Sequence, residues 1–424
     1  AGPTHFGSGA TPTFSTLPMV FYSCSETVGI MVDSNYFLIA MAPIVLGNHL
    51  TIGGSMFYPR DKSIGELRIS NMKTNRITFI FHSFSRVPWG GAKMVFMYAN
   101  YLSDHGCLVT ICFDCLNTMN RGLVFEPIRR LLCRLAVSVE PRWYPLNPSI
   151  KKQCIFGIKD SEVPDSDHVV ATAAETAYGV SSLSNSKGKK HYFIQDFEKW
   201  GISEKDVRAS FRFGMSNIVV SDWLFDLVQK ESGVKPTLIK NPIDATVFYE
   251  ESIKRNNNAV AVLYHEGSHK GFDDLWKALT MVHEKNPELV VNAFGTPARP
   301  SWFPEWVVYT QNATQSELRK IYSSSLVYAC ATINEGFGLT LAESMFCGCA
   351  LCSTDFLGVH EYANTNCALI SPVGDYSALA DNICKLLLNP DYALTLAAKG
   401  KAYAMSQCSM RKSFNALEEE FCLK

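Results

Sequence analysis

Charge is scarce in this sequence, and neither sign predominates. The 424 residues contain 39 Lys and Arg against 40 Asp and Glu, so the formal net charge is −1 and charged residues make up 19% of the chain. Because the two signs balance, the composition shows no excess of positive charge that would indicate binding to nucleic acid. It also gives no reason to expect strong attraction of the whole surface to anionic lipid. Because 47% of the residues are hydrophobic, the chain can bury large cores. Its length predicts two or three domains.

Long apolar runs are also missing. The longest run, residues 36–46, is too short to span a bilayer and contains Pro43. No signal-peptide pattern is visible. The chain opens with Ala-Gly-Pro and no methionine, which is typical of an expression scar and compatible with a piece of a longer protein.

The fourteen cysteines form neither a disulfide framework nor a zinc pattern. Most lie in apolar runs, where cysteine behaves as a small hydrophobic residue, and this favours a reducing, cytosolic setting. Cys112 and Cys115 form a CxxC, a spacing that also suits a redox pair or half of a metal site. No second pair follows at zinc-like spacing, so a structural role is the preferred interpretation. Asp165-x-Asp167 precedes a predicted strand, and no metal site is predicted.

Alternating strand and helix patterns predict an α/β fold with two doubly wound, Rossmann-like domains. We place the first domain at residues 76–240 and the second at residues 241–407. Residues 408–424 form a terminal helix. Residues 1–75 contain short apolar runs between Ser, Asn and Gly, which predict a small β-rich extension of unknown role.

The most informative stretch lies in the second domain. A buried strand at residues 325–330 runs into Asn-Glu-Gly-Phe-Gly, and the turn opens a helix at Leu339. The free N–H groups of such a helix start favour an anion. Glu335 and Glu343 bracket the turn, and ionised carboxylates accept hydrogen bonds from sugar hydroxyls. Alternatively, Thr340-x-x-Glu343 is a capping box and Glu335 a solvated loop acid.

This Glu-x7-Glu stretch resembles the signature of retaining GT-B glycosyltransferases, especially the large family 4. The resemblance implies two domains facing a cleft, with the terminal helix crossing back to the first domain. It implies that Glu335 contacts the donor sugar and that Glu343 binds the ribose. The sugar and phosphate would be bound by Gly336, Phe337, Gly338, Leu339 and Thr340.

Lys270 follows the first strand of the second domain and matches the lysine that this family places before a glycine. The resemblance implies that Lys270 acts with Glu335 in catalysis by holding the donor diphosphate. The family usually has an arginine some six residues earlier, and this chain has none there. His265, His269 or Tyr264 would then have to replace it.

The first domain supplies weaker candidates. Gly90 and Gly91 are expected to form a turn before a helix that starts near Ala92, and the resemblance places this turn opposite the donor diphosphate. His82 and Asp196 follow predicted strands, where ligands bind in open α/β sheets, and are candidates for the acceptor side. Residues 192–198 (Tyr-Phe-Ile-Gln-Asp-Phe-Glu) resemble a string of bacterial surface-polysaccharide transferases, including rhamnosyl-type enzymes.

The resemblance implies a retaining, metal-independent hexosyltransferase that needs no cofactor besides its nucleotide diphospho-sugar donor. The acceptor would be a glycan or a lipid-linked glycan in surface polysaccharide synthesis. The expected location is cytoplasmic, with peripheral contact at the inner face of the membrane or with another biosynthetic protein. The alternatives are a non-catalytic module that binds sugar nucleotides or glycans, and a GT-B-fold sugar-nucleotide epimerase.

Overall fold

Two parallel β-sheets flanked by helices form the architecture. The computed structural model describes residues 75–119, 124–199 and 201–423. The predicted β-rich extension, residues 1–75, lies outside this range except for its last residue. The two sheets confirm the predicted α/β class and its two Rossmann-like, doubly wound halves.

The first sheet has seven parallel strands in the order β3-β2-β1-β4-β5-β6-β7, and the second has six in the order β10-β9-β8-β11-β12-β13. The strands are β1 (Arg76–Phe81), β2 (Leu108–Asp114), β3 (Lys151–Ile155), β4 (His168–Ala171), β5 (Lys189–Ile194), β6 (Ser216–Val219), β7 (Thr237–Leu238), β8 (Asn256–Leu263), β9 (Val290–Gly295), β10 (Val307–Gln311), β11 (Ser325–Cys330), β12 (Ala350–Thr354) and β13 (Leu369–Ser371).

Helices cover both sheets. They are α1 (Gly90–Asp104), α2 (Glu126–Val139), α3 (Ala174–Ser182), α4 (Glu204–Ser210), α5 (Asp222–Ser232), α6 (Phe272–Lys285), α7 (Gln315–Ser324), α8 (Leu339–Phe346), α9 (Tyr376–Leu387), α10 (Pro390–Gln407) and α11 (Met410–Glu420). Because helices lie on both faces, central strands read as continuous apolar runs, and all six residues of β11 are buried.

The strand order locates the ligand-binding edge of each sheet. The order reverses between β1 and β4 in the first sheet and between β8 and β11 in the second. Ligands bind open α/β sheets outside the carboxyl ends of the strands at such a reversal. In the second sheet, the loops that leave β8 at Leu263 and β11 at Cys330 therefore frame the expected site.

Three local predictions differ from the structure. Gly90 and Gly91 are the first residues of α1 rather than a turn before it, so the helix starts two residues earlier than predicted. Strand β8 begins at Asn256, although the three asparagines at 256–258 predict a polar loop before the apolar run. Helix α2 was not predicted, although its sequence has the spacing of an amphipathic helix; its aliphatic residues are exposed, and Arg129, Cys133 and Val137 are buried.

The terminal helix α11 packs against the first sheet although α10 before it packs against the second. The Tyr101 hydroxyl donates to Glu418 at 2.6 Å, and the Tyr101 and Phe414 rings stack at 3.8 Å. Near its end, Glu420 accepts hydrogen bonds from Ser216 and Thr237, each at 2.6 Å. The carboxyl-terminal residues therefore join strands of the first sheet on the edge where these strands begin.

Two buried histidines extend the Glu420 cluster. His191 Nδ1 lies 2.9 Å from Glu420, and His191 Nε2 lies 3.0 Å from His168 Nδ1. Both rings can be neutral in this row of hydrogen bonds. His168 then donates from Nδ1 to His191 Nε2, and His191 donates from Nδ1 to Glu420. Burial lowers the pKa of both rings, that of His168 to about 4, and Lys189 adds to the effect. Burial would raise the pKa of Glu420, but hydrogen bonds from His191, Ser216 and Thr237 lower it to about 2.

The cluster predicts loss of stability in mild acid. Because the folded pKa of His168 lies below its unfolded value near 6.5, its contribution is complete above that pH and is lost as the pH falls towards about 4. We expect the apparent melting temperature to fall between about pH 7 and about pH 5. His168→Asn keeps a donor to His191 without a titrating ring, and should reduce this fall by about 2–4 °C. If the melting temperature fell equally with pH in the two proteins, His168 would not be the group responsible.

Candidate active site

The glycine-rich segment of the second domain has the strand–turn–helix form that its sequence predicts. Strand β11 ends at Cys330, and α8 begins at Leu339 directly after Gly338. Gly338 has φ +91°, and a Cβ at this position would lie 2.5 Å from the Tyr362 hydroxyl. Only glycine fits both constraints. The sharp turn leaves the first N–H groups of α8 at the edge of the sheet where ligands bind.

The loops after β8 and β11 are joined by backbone hydrogen bonds. The N–H groups of Ile333 and Asn334 both donate to the His269 carbonyl, at 2.9 and 3.3 Å. Gly271 has φ +62°, and a Cβ there would lie only 2.0 Å from the Ala331 carbonyl oxygen. Close backbone contact therefore fixes one loop against the other.

This contact brings together the two predicted catalytic residues. Lys270 Nζ lies 2.5 Å from Glu335 Oε1, with 17% and 21% of the two side chains exposed. Burial alone would lower the pKa of Lys270, but the adjacent Glu335 carboxylate raises it above the ordinary value. Lys270 therefore stays protonated, and the pair lines a cavity together with Tyr328, Thr332 and Thr340.

The first domain adds an acid to this group. Asp196, after β5, accepts hydrogen bonds from the N–H groups of Phe197, at 2.7 Å, and Gly336. Burial and then the charge of Glu335 raise the pKa of Asp196 to about 6. A Cβ on Gly336 would lie 1.9 Å from the Gln195 carbonyl oxygen, so the glycine permits this close contact between the domains. The structure thus places the candidate Asp196 beside the predicted donor-sugar site.

Glu343 makes a second contact between the domains. It is buried on α8, and Lys93 Nζ on α1 lies 2.6 Å from its Oε1. The Tyr322 hydroxyl lies 3.4 Å from its other oxygen, and Lys93 also lies 4.5 Å above the Phe248 ring. The residue that caps α8 is Gly338, and no side chain caps the helix. The capping-box interpretation of Glu343 is therefore wrong.

The start of α1 faces the start of α8. A Cβ on Gly90 would lie 3.3 Å from the Leu339 side chain, and a Cβ on Gly91 would lie 3.2 Å from the side chains of Gln195 and Trp89. The amino-terminal ends of two helices, one from each domain, therefore meet beside the candidate site. Both ends carry partial positive charge, and together they favour an anion.

The candidates to replace the missing arginine do not supply a positive charge. Burial first, and Lys270 second, lower the pKa of both His265 and His269, so both rings are neutral near pH 7. His265 Nδ1 accepts a hydrogen bond from the Gly267 N–H at 2.8 Å. Tyr264 packs edge-on against Phe272 and Phe303 in the core.

The remaining candidates differ in position, and only His82 lies at an exposed edge. The exposed His82 lies with its ring 5.3 Å from that of Trp89, and within the described residues no hydrogen bond joins it to Lys270 or Glu335. Thr340 accepts a hydrogen bond from Tyr328 at 2.8 Å, so its own hydroxyl proton can still be donated. Phe337 is buried against Tyr362 and shapes the loop from behind.

Lys93 is the main site residue that the sequence analysis missed. Its partner Glu343 lies 250 positions along the chain. The only sequence signal is a lysine in the first turn of the helix after the Gly-Gly pair.

In the described parts of the chain, no cluster of three or more His, Cys, Asp or Glu residues is arranged to hold a metal ion. No described helix is both long and apolar enough to cross a membrane.

Comparison with known proteins confirms that the second domain resembles glycosyltransferases. Residues 258–389 match the family model described as Glycosyl transferases group 1. A 92-residue segment is 36% identical to the GtfA subunit of a UDP-N-acetylglucosamine–peptide N-acetylglucosaminyltransferase from Streptococcus pneumoniae. That segment is 20% of this chain, and the match spans only 18% of the length of the relative.

Solved structures share the fold over most of the chain. Staphylococcus aureus TarM aligns with a TM-score of 0.67 and 10% identity, covering 82% of this chain and 99% of TarM. Anabaena HepE in complex with UDP and glucose aligns with a TM-score of 0.63 and 14% identity, covering 82% of this chain and 99% of HepE. At these identities the likeness establishes the GT-B fold.

The Lys93–Glu343 pair predicts strong energetic coupling between the domains. Lys93→Met leaves a buried carboxylate with only the Tyr322 hydroxyl, and should lower the melting temperature by about 5 °C or more. Glu343→Gln should cost less, because Lys93 keeps its contact with the Phe248 ring. The double variant should lose less than the sum of the two, as measured by calorimetry.

A matched control is the exposed pair of Lys285 and Asp381, whose atoms lie 3.0 Å apart. Lys285→Met with Asp381→Asn should show almost no coupling, because exposed pairs contribute little. Additive effects of the Lys93 and Glu343 substitutions would contradict the interaction.

Proposed function

We propose that this chain is a retaining glycosyltransferase that transfers a sugar from a nucleotide diphospho-sugar to a glycan or lipid-linked glycan acceptor. The observation that carries this proposal is the Lys270–Glu335 pair beside the start of α8 and opposite Asp196. A protonated lysine and free helix N–H groups suit a diphosphate, and two carboxylates suit sugar hydroxyls.

In the proposed complex, the diphosphate lies on the amino-terminal end of α8, with Lys270 on one side and the start of α1 on the other. Glu335 accepts hydrogen bonds from the transferred sugar, and Glu343 accepts them from the ribose. In this structure each carboxylate is held by a lysine instead, at 2.5 Å and 2.6 Å. Donor binding therefore requires Lys93 to withdraw from Glu343 and Lys270 to turn from Glu335 towards phosphate.

The reaction breaks the bond between the anomeric carbon and the phosphate oxygen. Negative charge then develops on the diphosphate and positive charge on the sugar ring. Lys270 and the N–H groups near Thr340 stabilise the first charge, and Glu335 steadies the second. These groups act without a metal ion. Closure of the domains excludes water, which would otherwise hydrolyse the donor.

The acceptor hydroxyl attacks from the face that the diphosphate leaves, so the anomeric configuration is retained. Its oxygen forms the new bond to the anomeric carbon, and its proton passes to the departing phosphate oxygen. We propose that the acceptor enters beside Asp196, on the side of the first domain. Its ionised carboxylate would accept a hydrogen bond from the attacking hydroxyl and orient it.

Two relatives suggest the chemistry of the donor. The name of the pneumococcal protein specifies UDP-N-acetylglucosamine, and HepE was solved with UDP and glucose. We propose a uridine diphospho-sugar as the donor. We propose surface polysaccharide synthesis as the biological role. Residues 192–198 suggest that the transferred sugar could be a rhamnose. The proposed location is cytoplasmic, with peripheral contact at the inner face of the membrane.

One observation favours a second candidate function. The usual arginine is absent, and the neighbouring histidines His265 and His269 have lowered pKa values. Leaving-group charge would then fall mainly on Lys270 and the helix ends. A non-catalytic module that binds the sugar nucleotide without turnover satisfies the same geometry.

Donor binding and turnover separate the two functions. Among uridine, guanosine and thymidine diphospho-sugars, we expect a uridine donor to raise the melting temperature. The transferase releases nucleoside diphosphate slowly from that donor, and Lys270→Ala should lower this rate by about a hundredfold or more. Glu335→Gln should act similarly, since it removes the charge beside the ring.

Glu305→Gln and Lys399→Ala are matched controls at exposed positions, and should leave the rate unchanged. Binding without release on any acceptor would support the module. Full activity of Lys270→Ala would contradict the proposed site.

The raised pKa of Asp196 predicts a pH-dependent rate. Because its acidic form cannot accept the hydrogen bond from the attacking hydroxyl in the same way, kcat/KM should fall as the pH drops below about 6. Asp196→Asn should lower the plateau by about tenfold to a hundredfold and abolish this limb. Asp381→Asn, a control at an exposed position, should keep the fall in kcat/KM below about pH 6. A transition near pH 6 that persists in Asp196→Asn would assign it to another group.

A further inference from the structure

The start of helix α5, in the first domain, contacts the segment of the second domain that carries Glu335. We call this segment, residues 331–338, the Glu335 loop. The indole N–H of the half-buried Trp223 donates to the Gly336 carbonyl at 2.9 Å. Because Gly336 directly follows Glu335, this bond holds the backbone that carries the proposed sugar contact. The reaction described above gives Trp223 no role.

A carboxylate of the second domain caps the same helix. The N–H group of Asp222, the first residue of α5, donates to Glu361 Oε1 at 2.7 Å. Glu361 is only 3% exposed, and Lys240 Nζ lies 2.8 Å from its other oxygen and 2.7 Å from Asp222 Oδ2. The partial positive charge at the amino-terminal end of a helix favours such a carboxylate. A helix cap and an ion pair therefore fix the start of α5 on the second domain.

The short turn that carries Glu361 also supports the Glu335 loop. This 3-10 turn spans Leu357–Glu361 and follows β12. A Cβ on Gly358 would lie 2.6 Å from the Glu335 carbonyl oxygen and 2.9 Å from the Phe337 nitrogen, so the backbones of turn and loop are in direct contact. Helix α5 therefore holds the loop in two ways, directly through Trp223 and through the turn that carries Glu361.

We propose that Trp223 is a positioning residue for the sugar contact of Glu335, and that Glu361 holds the helix that carries Trp223. Neither side chain touches the substrate in the proposed complex. Lys270 and the start of α8, which are proposed to hold the diphosphate, belong to the second domain. Loss of the Trp223 bond should therefore affect catalysis more than binding of the nucleotide. This inference rests on the proposed transfer reaction and deepens it, because it assigns sugar positioning to a contact between the domains.

Amide hydrogen exchange of the ligand-free full chain tests the positioning directly. Trp223→Phe keeps an aromatic ring and removes the N–H donor, so a peptide covering residues 331–338 should exchange about fivefold faster. Tyr178→Phe is the matched control, because it removes a hydroxyl that donates to the Asp206 carbonyl at 3.0 Å within the first domain. This control should leave exchange of the same peptide unchanged. Equal exchange in Trp223→Phe and the unmodified chain would overturn the proposal, whether or not the chain is a transferase.

Kinetics then separate positioning from general damage to the fold. With a uridine diphospho-sugar donor, Trp223→Phe should lower kcat by about tenfold, because the loop no longer holds Glu335 in place. The thermal shift caused by uridine diphosphate alone should stay the same. Unchanged kcat, or loss of uridine diphosphate binding in place of a lower rate, would contradict the proposed role. If the unmodified chain turns over no donor, the proposed reaction fails, and the exchange experiment still decides whether Trp223 positions the loop.

Glu361 provides a second test that does not depend on one variant folding. Glu361→Ala removes the cap of α5 but leaves Lys240 paired with Asp222, and should lower kcat by about as much as Trp223→Phe. Glu361→Gln should recover most of this loss, because its amide oxygen can still accept the Asp222 N–H. A rate equally low in both Glu361 variants would show that the cap is not what positions the helix.

Discussion

A carboxylate withdrawn from water between two domains needs a cation or a ligand to offset the lost hydration. Two carboxylates of this protein meet that constraint, Glu343 with Lys93 from the other domain and Glu335 with Lys270 from its own domain. Both carboxylates lie in or after the glycine-rich turn of the second domain. The two lysines neutralise these carboxylates without a ligand. In the complex that we propose, the donor hydroxyls replace both lysine contacts.

The same constraint explains why glycines concentrate at this place. Gly336 lets the turn approach the backbone after β5, and Gly338 lets α8 start at a sharp angle. A side chain at Gly336 would separate the two sheets and expose the paired charges to water, whereas one at Gly338 would clash with Tyr362 within the second domain. Backbone conformation, domain contact and electrostatics are thus determined by the same short segment. A change in any one of them is expected to alter the others.

The sequence was most informative where the chemistry is local. Glu335, the glycines and the start of α8 lie within ten residues, and the alternation of strands and helices predicted both sheets. Lys93 could not be paired with Glu343 in advance, because these residues belong to different domains and only the packing brings them together. The contact of Asp196 with Gly336 is another example. Helix α2 was not predicted although its aliphatic residues recur three and four positions apart, and only the structure shows that this side faces outward.

The central claim is that Lys270 and Glu335 hold a nucleotide diphospho-sugar between the two sheets. A crystal structure of the chain with a bound uridine diphospho-sugar tests this claim most directly. The account predicts diphosphate oxygens within hydrogen-bond distance of Lys270 and the first N–H groups of α8, the hexose on Glu335, and the ribose on Glu343 with Lys93 displaced. A donor bound away from this cleft, with the pairs of Lys93–Glu343 and Lys270–Glu335 both intact, would contradict it.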